Sequence, residues 1–298
     1  MAAPGRRTVL IAGPTASGKS ALAIETARAL GGTIINTDAM QVYDVLSVVT
    51  ARPTATDMDR APHRLYGTIS PAVRFSTGAW FEAVKALIQE LPETAPLIFV
   101  GGTGLYFEAL TNGVAEVPAI PDAITREVEA EIEGLDALNR GRLIAERDPE
   151  MAGRLKAPDP QRVIRALAVL KATGRSLASF QDAEQKGLLD EFSLERIVLN
   201  PDRDVLRARI ARRFEAMFES GAVEEVEALL ALDLDPSLPG MKAIGVPEIS
   251  AWLDGKLSRE EAIELATIAT RQYAKRQRTW FRNRMSDWQW IDPLAKKD

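Results

Sequence analysis

Gly13-Pro14-Thr15-Ala16-Ser17-Gly18-Lys19-Ser20 fits G-x-x-x-x-G-K-[ST] at every fixed position. The glycines let the backbone curl so that successive N–H groups point inward, and a helix starting at the end of the loop adds positive potential. Lys19 supplies a full charge to a terminal phosphate, and the Ser20 hydroxyl can ligate Mg²⁺. Such a loop cradles two linked phosphates. The apolar "TVLIA" before it and the helix-forming "SALAIETARAL" after it supply the strand–loop–helix context the motif requires.

Whose phosphates these are is less obvious. Phosphoryl-transfer enzymes of this kind place an acid at the tip of a later apolar strand to hold Mg²⁺. Here the best buried strand, residues 96–100, runs into Gly101-Gly102-Thr103-Gly104, with no acid at its tip. This weakens an ATPase reading. A second glycine turn lets another ligand approach the backbone beside the first loop. The acid nearest the loop is Asp38, in "NTDAMQVY" just after the second strand. It can be a Mg²⁺ ligand, a general base, or the cap of a following helix. His63, the only histidine, lies in "RAPHRLYG" with no acid fixed beside it by spacing, which favours a structural role or a substrate contact over catalysis.

Several cations could hold anions. Arg209 and Arg213 in "DRDVLRARIARRF" stand at i, i+4 on one helix face, suited either to solvated ion pairs or to a forked clamp on pyrophosphate. Arg162 and Arg165 stand at i, i+3 on another helix. "TRQYAKRQRTWFRNR", residues 270–284, holds six Lys/Arg and no acid, interleaved with Tyr273, Trp280 and Phe281. That mixture suits an RNA backbone and unstacked bases, or else a surface helix whose aromatics are core. A membrane surface is disfavoured, because the chain also carries two other arginine-bearing helices beside a nucleotide-fold core.

The elements that must position these groups alternate strand and helix through about residue 112. A helix is predicted from about Ser17 to Leu30, a strand over Thr33–Asn36, a third strand in "LYGTIS", and a helix capped by Ser76 or Thr77. Strand–helix alternation implies a parallel sheet with helices on its faces. From Asp122 to about Lys186 the pattern is almost wholly helical. Its clearest member is "DPQRVIRALAVLKATG", with Asp159 as cap, Pro160 at the first helical position and Gly174 to end it. Strand character returns at "ERIVLN". The reading is an α/β core, residues 1–115 and 190–298, interrupted by a helical insertion, 116–189.

At 298 residues, 46% hydrophobic and 27% charged, the chain can bury a substantial core. It has no cysteine, which excludes disulfides, thiolate metal sites and a cysteine nucleophile. Its net charge of −5 excludes binding polyanions with the whole surface, so the basic segment points to a directed anionic partner. The apolar run after "MAAPGRR" is too short for a signal peptide, and no apolar stretch reaches bilayer length. A cytoplasmic monomer is expected.

The phosphate loop, "DAMQVY" at 38–43, "TARPT" at 50–54, "APHRL" at 61–65, "VGGTGLYFEAL" at 100–110, "DPQRVIRAL" at 159–167, "MKAIGVPEI" at 241–249 and "ATRQYAKRQRTWFR" at 269–282 occur in one order. In that ordered set the sequence resembles the tRNA dimethylallyltransferases, or tRNA isopentenyltransferases, from about residue 8 to 284. The resemblance implies a P-loop-like α/β fold. It implies that the loop at 13–20 holds the pyrophosphate of dimethylallyl diphosphate rather than ATP. The implied reaction alkylates N6 of the adenosine just 3′ of the anticodon in tRNAs reading U-first codons. Asp38 then matches the general base. Thr15, Lys19, Ser20 with Mg²⁺, and Arg213 would steady the departing diphosphate. Asp38, Ala39, Met40, Gln41, Thr103, Gln161, Arg162, Val163, Ile164, Arg165, Lys242, Gly245, Lys275, Arg276, Arg278 and Arg282 match tRNA-contacting positions, and the insertion would grip the anticodon stem-loop. One departure is Ala39, where the family usually has serine. Rival readings are a small-molecule P-loop kinase, an enzyme prenylating free AMP, and a non-catalytic RNA-binding NTPase module.

Overall fold

A computed structural model describes residues 5–293. In chain order its elements are β1 (Arg7–Ala12), α1 (Lys19–Leu30), β2 (Thr33–Asn36), α2 (Ala55–Arg60), β3 (His63–Arg64), α3 (Thr77–Glu90), β4 (Leu97–Gly101) and α4 (Gly104–Asn112). Then come α5 (Asp122–Ile132), α6 (Ala137–Arg147), α7 (Pro149–Arg154), α8 (Pro160–Thr173) and α9 (Leu177–Gln181). The chain continues through β5 (Ser193–Leu199), α10 (Arg203–Phe218), α11 (Ala222–Leu230), a short 3₁₀ turn at Gly240–Lys242, α12 (Val246–Leu253), α13 (Arg259–Arg284) and β6 (Gln289–Ile291). Residues up to 111 and from 188 onward form one compact unit, and residues 112–187 a second. The outermost residues of the predicted core, 1–4 and 294–298, lie outside the described residues.

The six strands form one all-parallel sheet in the order β3-β2-β4-β1-β5-β6. Parallel strands joined by crossover helices are covered on both faces, so they read as continuous apolar runs. Val9 and Ile11 of β1, Ile34 of β2, Ile98 and Val100 of β4, and Ile197 and Leu199 of β5 accordingly pack with Ala23, Ile24 and Ala27 of α1. Register sets Ala12 beside Gly101 and Asn36 beside Val100, so β1, β4 and β2 end level. The loops after these three strands therefore emerge side by side at the carboxyl edge of the sheet, where open α/β folds bind ligands. A second cluster of the same unit packs Phe214, Met217 and Phe218 of α10 against Leu46, Val49, Val226, Ile249 and Ala266.

The 112–187 unit has its own core. Val128 and Ile132 of α5, Ile144 of α6, Met151 of α7, and Val163, Ile164 and Leu167 of α8 close on Phe180. The Asp159 carboxylate accepts the Arg162 N–H at 3.1 Å, and Gly174 ends α8 with φ 70°.

Two expectations are corrected. The third strand lies at His63–Arg64, not in "LYGTIS". Leu65 and Gly67 both take positive φ (63° and 58°), which breaks an extended run, and Ile69 makes only an isolated bridge to Tyr43. The first helix begins at Lys19 rather than Ser17, because Ala16 (φ 62°) and Gly18 (φ 93°) are left-handed.

Candidate active site

The loop after β1 is shaped by what its glycines permit. A Cβ on Gly13 would sit 2.8 Å from Ser17 Oγ and 3.1 Å from Leu199. Gly18 needs its positive φ to turn the chain into α1. Ser17 is fully buried, and its hydroxyl has no hydrogen-bond partner among the described residues. Lys19 folds back over the loop, its Nζ donating to Pro14 O at 3.4 Å. Ser20 is exposed on the first turn of α1.

Arg213 of α10 donates from Nη1 to Thr15 Oγ1 at 3.3 Å, tying the loop to a second cation. Neither Lys19 nor Arg213 has a carboxylate within ion-pair distance among the described residues. Burial lowers Lys19 to about 8; Asp38 opposes that shift and Arg213 adds to it. Burial likewise lowers Arg213, again opposed by Asp38. Two desolvated cations without anionic partners make a site that favours a bound anion. Arg209 lies near Gly18, its Nη1 3.8 Å from where a Gly18 Cβ would be.

Asp38 stands two residues past β2 and is held by Asn36. Asn36 Oδ1 accepts the Asp38 N–H at 2.8 Å, and its Nδ2 donates to the Asp38 and Leu65 carbonyls at 3.0 Å each. The buried indole of Trp80 donates to Asn36 O at 3.0 Å and stacks on Tyr106, with ring centroids 4.0 Å apart. Asp38 Oδ1 accepts the Met40 N–H at 3.0 Å. The helix-cap reading is corrected here: residues 39–54 form turns, and the next helix starts at Ala55. The carboxylate caps only a local turn through Oδ1, and Asp38 lines a cavity. Its charge reaches Tyr66, Tyr106 and Tyr273, whose phenols are raised by burial first and by Asp38 second.

The second glycine turn brings Thr103 to Asp38. Thr103 Oγ1 accepts the Ala39 N–H at 2.9 Å, and its own N–H donates to Thr37 O at 3.1 Å. Sequence reasoning missed Gln277 of α13, which is 5% exposed. Its Oε1 accepts the Thr15 N–H at 3.0 Å and its Nε2 donates to Gly102 O at 2.9 Å.

Thr15, Asp38 and Arg213 open on a cavity of about 310 Å³. Beside these polar groups, Val49, Ile210, Phe214, Met217, Ala243 and Ile244 give it an apolar lining that no motif announced. Ala39, Met40, Lys242, Tyr273 and Arg276 complete the lining. Gly245 (φ 105°) leaves space for the Phe214 ring, 3.1 Å from where its Cβ would be, and donates its N–H to Glu248 Oε2 at 2.8 Å. Gln41 Nε2 donates to the Thr50 and Ala51 carbonyls, folding the 41–51 loop. Lys242, Lys275, Arg276 and Arg282 are exposed and Arg278 is half-buried; Arg276 lies 5.7 Å from the Tyr273 ring centroid. Phe281 is core, and Trp280 packs where a Gly104 Cβ would be. His63 is structural: Nδ1 bonds Ala61 O at 2.8 Å and the ring meets Tyr66 edge-on. In the 112–187 unit, Gln161, Arg162 and Arg165 are exposed on α8. Val163 (0% exposed) and Ile164 (8%) point into that unit's core, so their side chains are corrected from ligand contacts to packing.

The model of the family described as "IPP transferase" matches residues 41–284. The chain belongs to the IPP transferase family. A protein of Allorhizobium ampelinum named tRNA dimethylallyltransferase is 51% identical over 294 residues, covering 97% of this chain and 96% of that one. Among solved structures, the full-length tRNA isopentenylpyrophosphate transferase of Bacillus halodurans is 34% identical with a TM-score of 0.68, over 96% of this chain and 90% of that one. A eukaryotic dimethylallyltransferase acting on tRNA superposes with a TM-score of 0.81 at 26% identity, over 98% and 75%. The IPP transferase model begins at Gln41, so the loop at 13–20 and Asp38 precede it, while the full-length relatives cover nearly the whole chain.

Proposed function

We propose that this chain transfers a dimethylallyl group from dimethylallyl diphosphate to N6 of the adenosine 3′-adjacent to the anticodon, in tRNAs reading U-first codons, releasing diphosphate. The observation that carries the reading is the cavity itself: Thr15 of the glycine loop, the Arg213 guanidinium and the Asp38 carboxylate line it together with an apolar wall, and Arg213 bonds Thr15. That arrangement is complementary to a small apolar group esterified to diphosphate. The names of the relatives point to the same donor and the same class of acceptor.

The chemistry follows from the groups present. Adenine N6 is a poor nucleophile because its lone pair is delocalised into the ring. As N6 bonds to C1 of the dimethylallyl group, the C1–O bond breaks and its electrons leave with diphosphate. The N6 proton passes to Asp38, whose placement by Asn36 and Trp80 fixes where it can be received. In this reading Lys19, Arg213 and the Thr15 hydroxyl meet the charge that develops on the leaving group, a role supported by the bonds of Lys19 and Arg213 to the loop. Among the described residues no group of three or more His, Cys, Asp or Glu could cage a metal. The Ser20 hydroxyl and the diphosphate oxygens are hard donors of the kind Mg²⁺ accepts alongside its waters, so the residues fit that ion. Bound there, Mg²⁺ supplies further neutralisation of the leaving diphosphate.

The acceptor base must leave its stack to reach such a cavity. Thr103, Ala39, Met40, Gln41, Lys242 and Gly245 are the residues for the flipped adenosine and its neighbours. Lys275, Arg276, Arg278 and Arg282 on α13 suit the RNA backbone, and Gln161, Arg162 and Arg165 on α8 the anticodon stem. No helix among the described residues is long and apolar enough to cross a membrane. The reading is of a cytoplasmic monomer, which light scattering checks as a single species of 32.6 kDa.

The test is incubation with dimethylallyl diphosphate, Mg²⁺ and unmodified tRNA carrying adenosine 3′ of its anticodon, followed by digestion and mass spectrometry. Free AMP and ATP run in parallel. A five-carbon gain on that nucleoside alone is expected. Modification of AMP with tRNA untouched, or ATP turnover without transfer, refutes the proposal.

A further inference from the structure

Gln277 is buried on a helix whose adjacent residues Lys275 and Arg276 are exposed. Both ends of its amide are used, and on different loops. Oε1 takes the Thr15 N–H of the phosphate loop at 3.0 Å; Nε2 gives to Gly102 O of the second glycine turn at 2.9 Å. The fit is tight: a Cβ on Gly102 would lie 2.2 Å from Gln277 Nε2 and 3.3 Å from Asp38 Oδ2. The side chain is therefore wedged between the two loops, beside the carboxylate.

Three consequences follow. The Thr15 N–H is committed to Gln277 of α13, while the Thr15 hydroxyl meets Arg213. Gly102 is held, and with it Thr103, which in turn holds the backbone of Ala39 next to Asp38. The anion-holding groups and the proton-accepting carboxylate are thus linked through Gln277, with Tyr273 bonded to both Gln277 and Thr103. A neutral amide supplies both partners, whereas a carboxylate cannot donate to Gly102 and would set a second negative charge near Asp38, and a cation cannot accept from Thr15.

We infer that Gln277 is a positioning residue for the transfer step, locking the phosphate loop and the Asp38–Thr103 turn at a fixed spacing. This rests on the reading of the cavity as a prenyl-transfer site. Misplacing two reacting groups costs rate far more than it costs binding.

The experiment is a double-mutant cycle. Gln277→Met keeps the volume and loses both bonds; Gln277→Glu keeps the acceptor alone and stands in if the methionine variant fails to fold. Turnover and KM for dimethylallyl diphosphate, the Kd for tRNA and the Kd for inorganic diphosphate are measured for the unaltered protein, each Gln277 variant, Asp38→Asn and the doubles. The expected result is a loss of kcat of roughly ten- to a hundredfold in the single variants, with tRNA affinity within about twofold. In the Asp38→Asn background the further loss shrinks, because a carboxylate that no longer accepts a proton gains little from being placed. Turnover within about threefold of the unaltered protein, a loss confined to tRNA affinity, or losses that multiply in the doubles each overturn the inference. An unaltered protein that transfers nothing refutes the proposed function instead, and weakened diphosphate binding in Gln277→Met still reports the clamp.

Discussion

Asp38→Asn separates the two jobs this carboxylate performs. Asparagine keeps an oxygen that accepts the Met40 N–H, now at 3.0 Å, and keeps the backbone bonds to Asn36, so the turn survives. What disappears is the charge and the ability to take a proton. A positioned general base contributes about 10²- to 10⁴-fold, or about 2.7–5.4 kcal/mol of barrier at about 1.36 kcal/mol per tenfold. The same charge now holds Lys19 and Arg213 higher than burial alone would. Without it the anion site is more positive, so inorganic diphosphate binds at least as tightly as before. The expected signature is kcat down about 10²- to 10⁴-fold, tRNA affinity retained, and diphosphate affinity equal or better. Single-turnover transfer to tRNA by mass spectrometry and calorimetric titration with diphosphate read the two arms. A kcat within about threefold of the unaltered protein removes Asp38 from the proton transfer, and weaker diphosphate binding refutes the electrostatic account.

Further outcomes follow from neighbouring residues. Lys19 is charged in the free protein only below about 8, and a bound diphosphate raises it, so affinity for dimethylallyl diphosphate is full below that pH and falls as pH rises through it. Calorimetry should show proton uptake on binding near pH 9, absent in Lys19→Met; affinity that is flat from pH 7 to above 9 in the unaltered protein contradicts this. Ala39→Ser should leave transfer within about threefold, since Thr103 holds the residue through its backbone N–H; abolished activity in initial-rate assays would show that the position is not tolerant. Gly101→Ala puts a Cβ 2.1 Å from Thr37 O, so β4 and the Asp38 loop must part, with a loss of about 1–3 kcal/mol in urea unfolding; an unchanged midpoint refutes that packing. Trp80→Phe strands the buried Asn36 carbonyl at a similar cost of about 1–3 kcal/mol, measured the same way.

The legible parts of this protein are those in which chemistry is fixed by short spacing. The loop at 13–20 needs its glycines, lysine and serine at set offsets, and a strand ends where its apolar run ends, which places Asp38 and Gly102 on one edge of the sheet. The cap reading of Asp38 failed because its carboxylate closes a local turn that no helix continues. β6, three residues long, offers too little pattern to find and exists because β5 offers an edge. The apolar wall of the cavity was hidden for a different reason. Ile210, Phe214 and Met217 recur at helical spacing, and such a stripe reads the same whether it faces a core or a ligand; here it serves both. Arg209 and Arg213 share a face by spacing, and both meet the loop, one near Gly18 and the other at Thr15. Gln277 carries the point furthest. It sits among Lys275, Arg276 and Arg278 in a segment whose composition announces solvent or phosphate, and its burial depends on where α13 docks, which periodicity does not encode. What distinguishes it from those cations is capacity rather than pattern. The Thr15 N–H and the Gly102 carbonyl need an acceptor and a donor at one place, and the amide has both where Lys275, Arg276 and Arg278 can only donate.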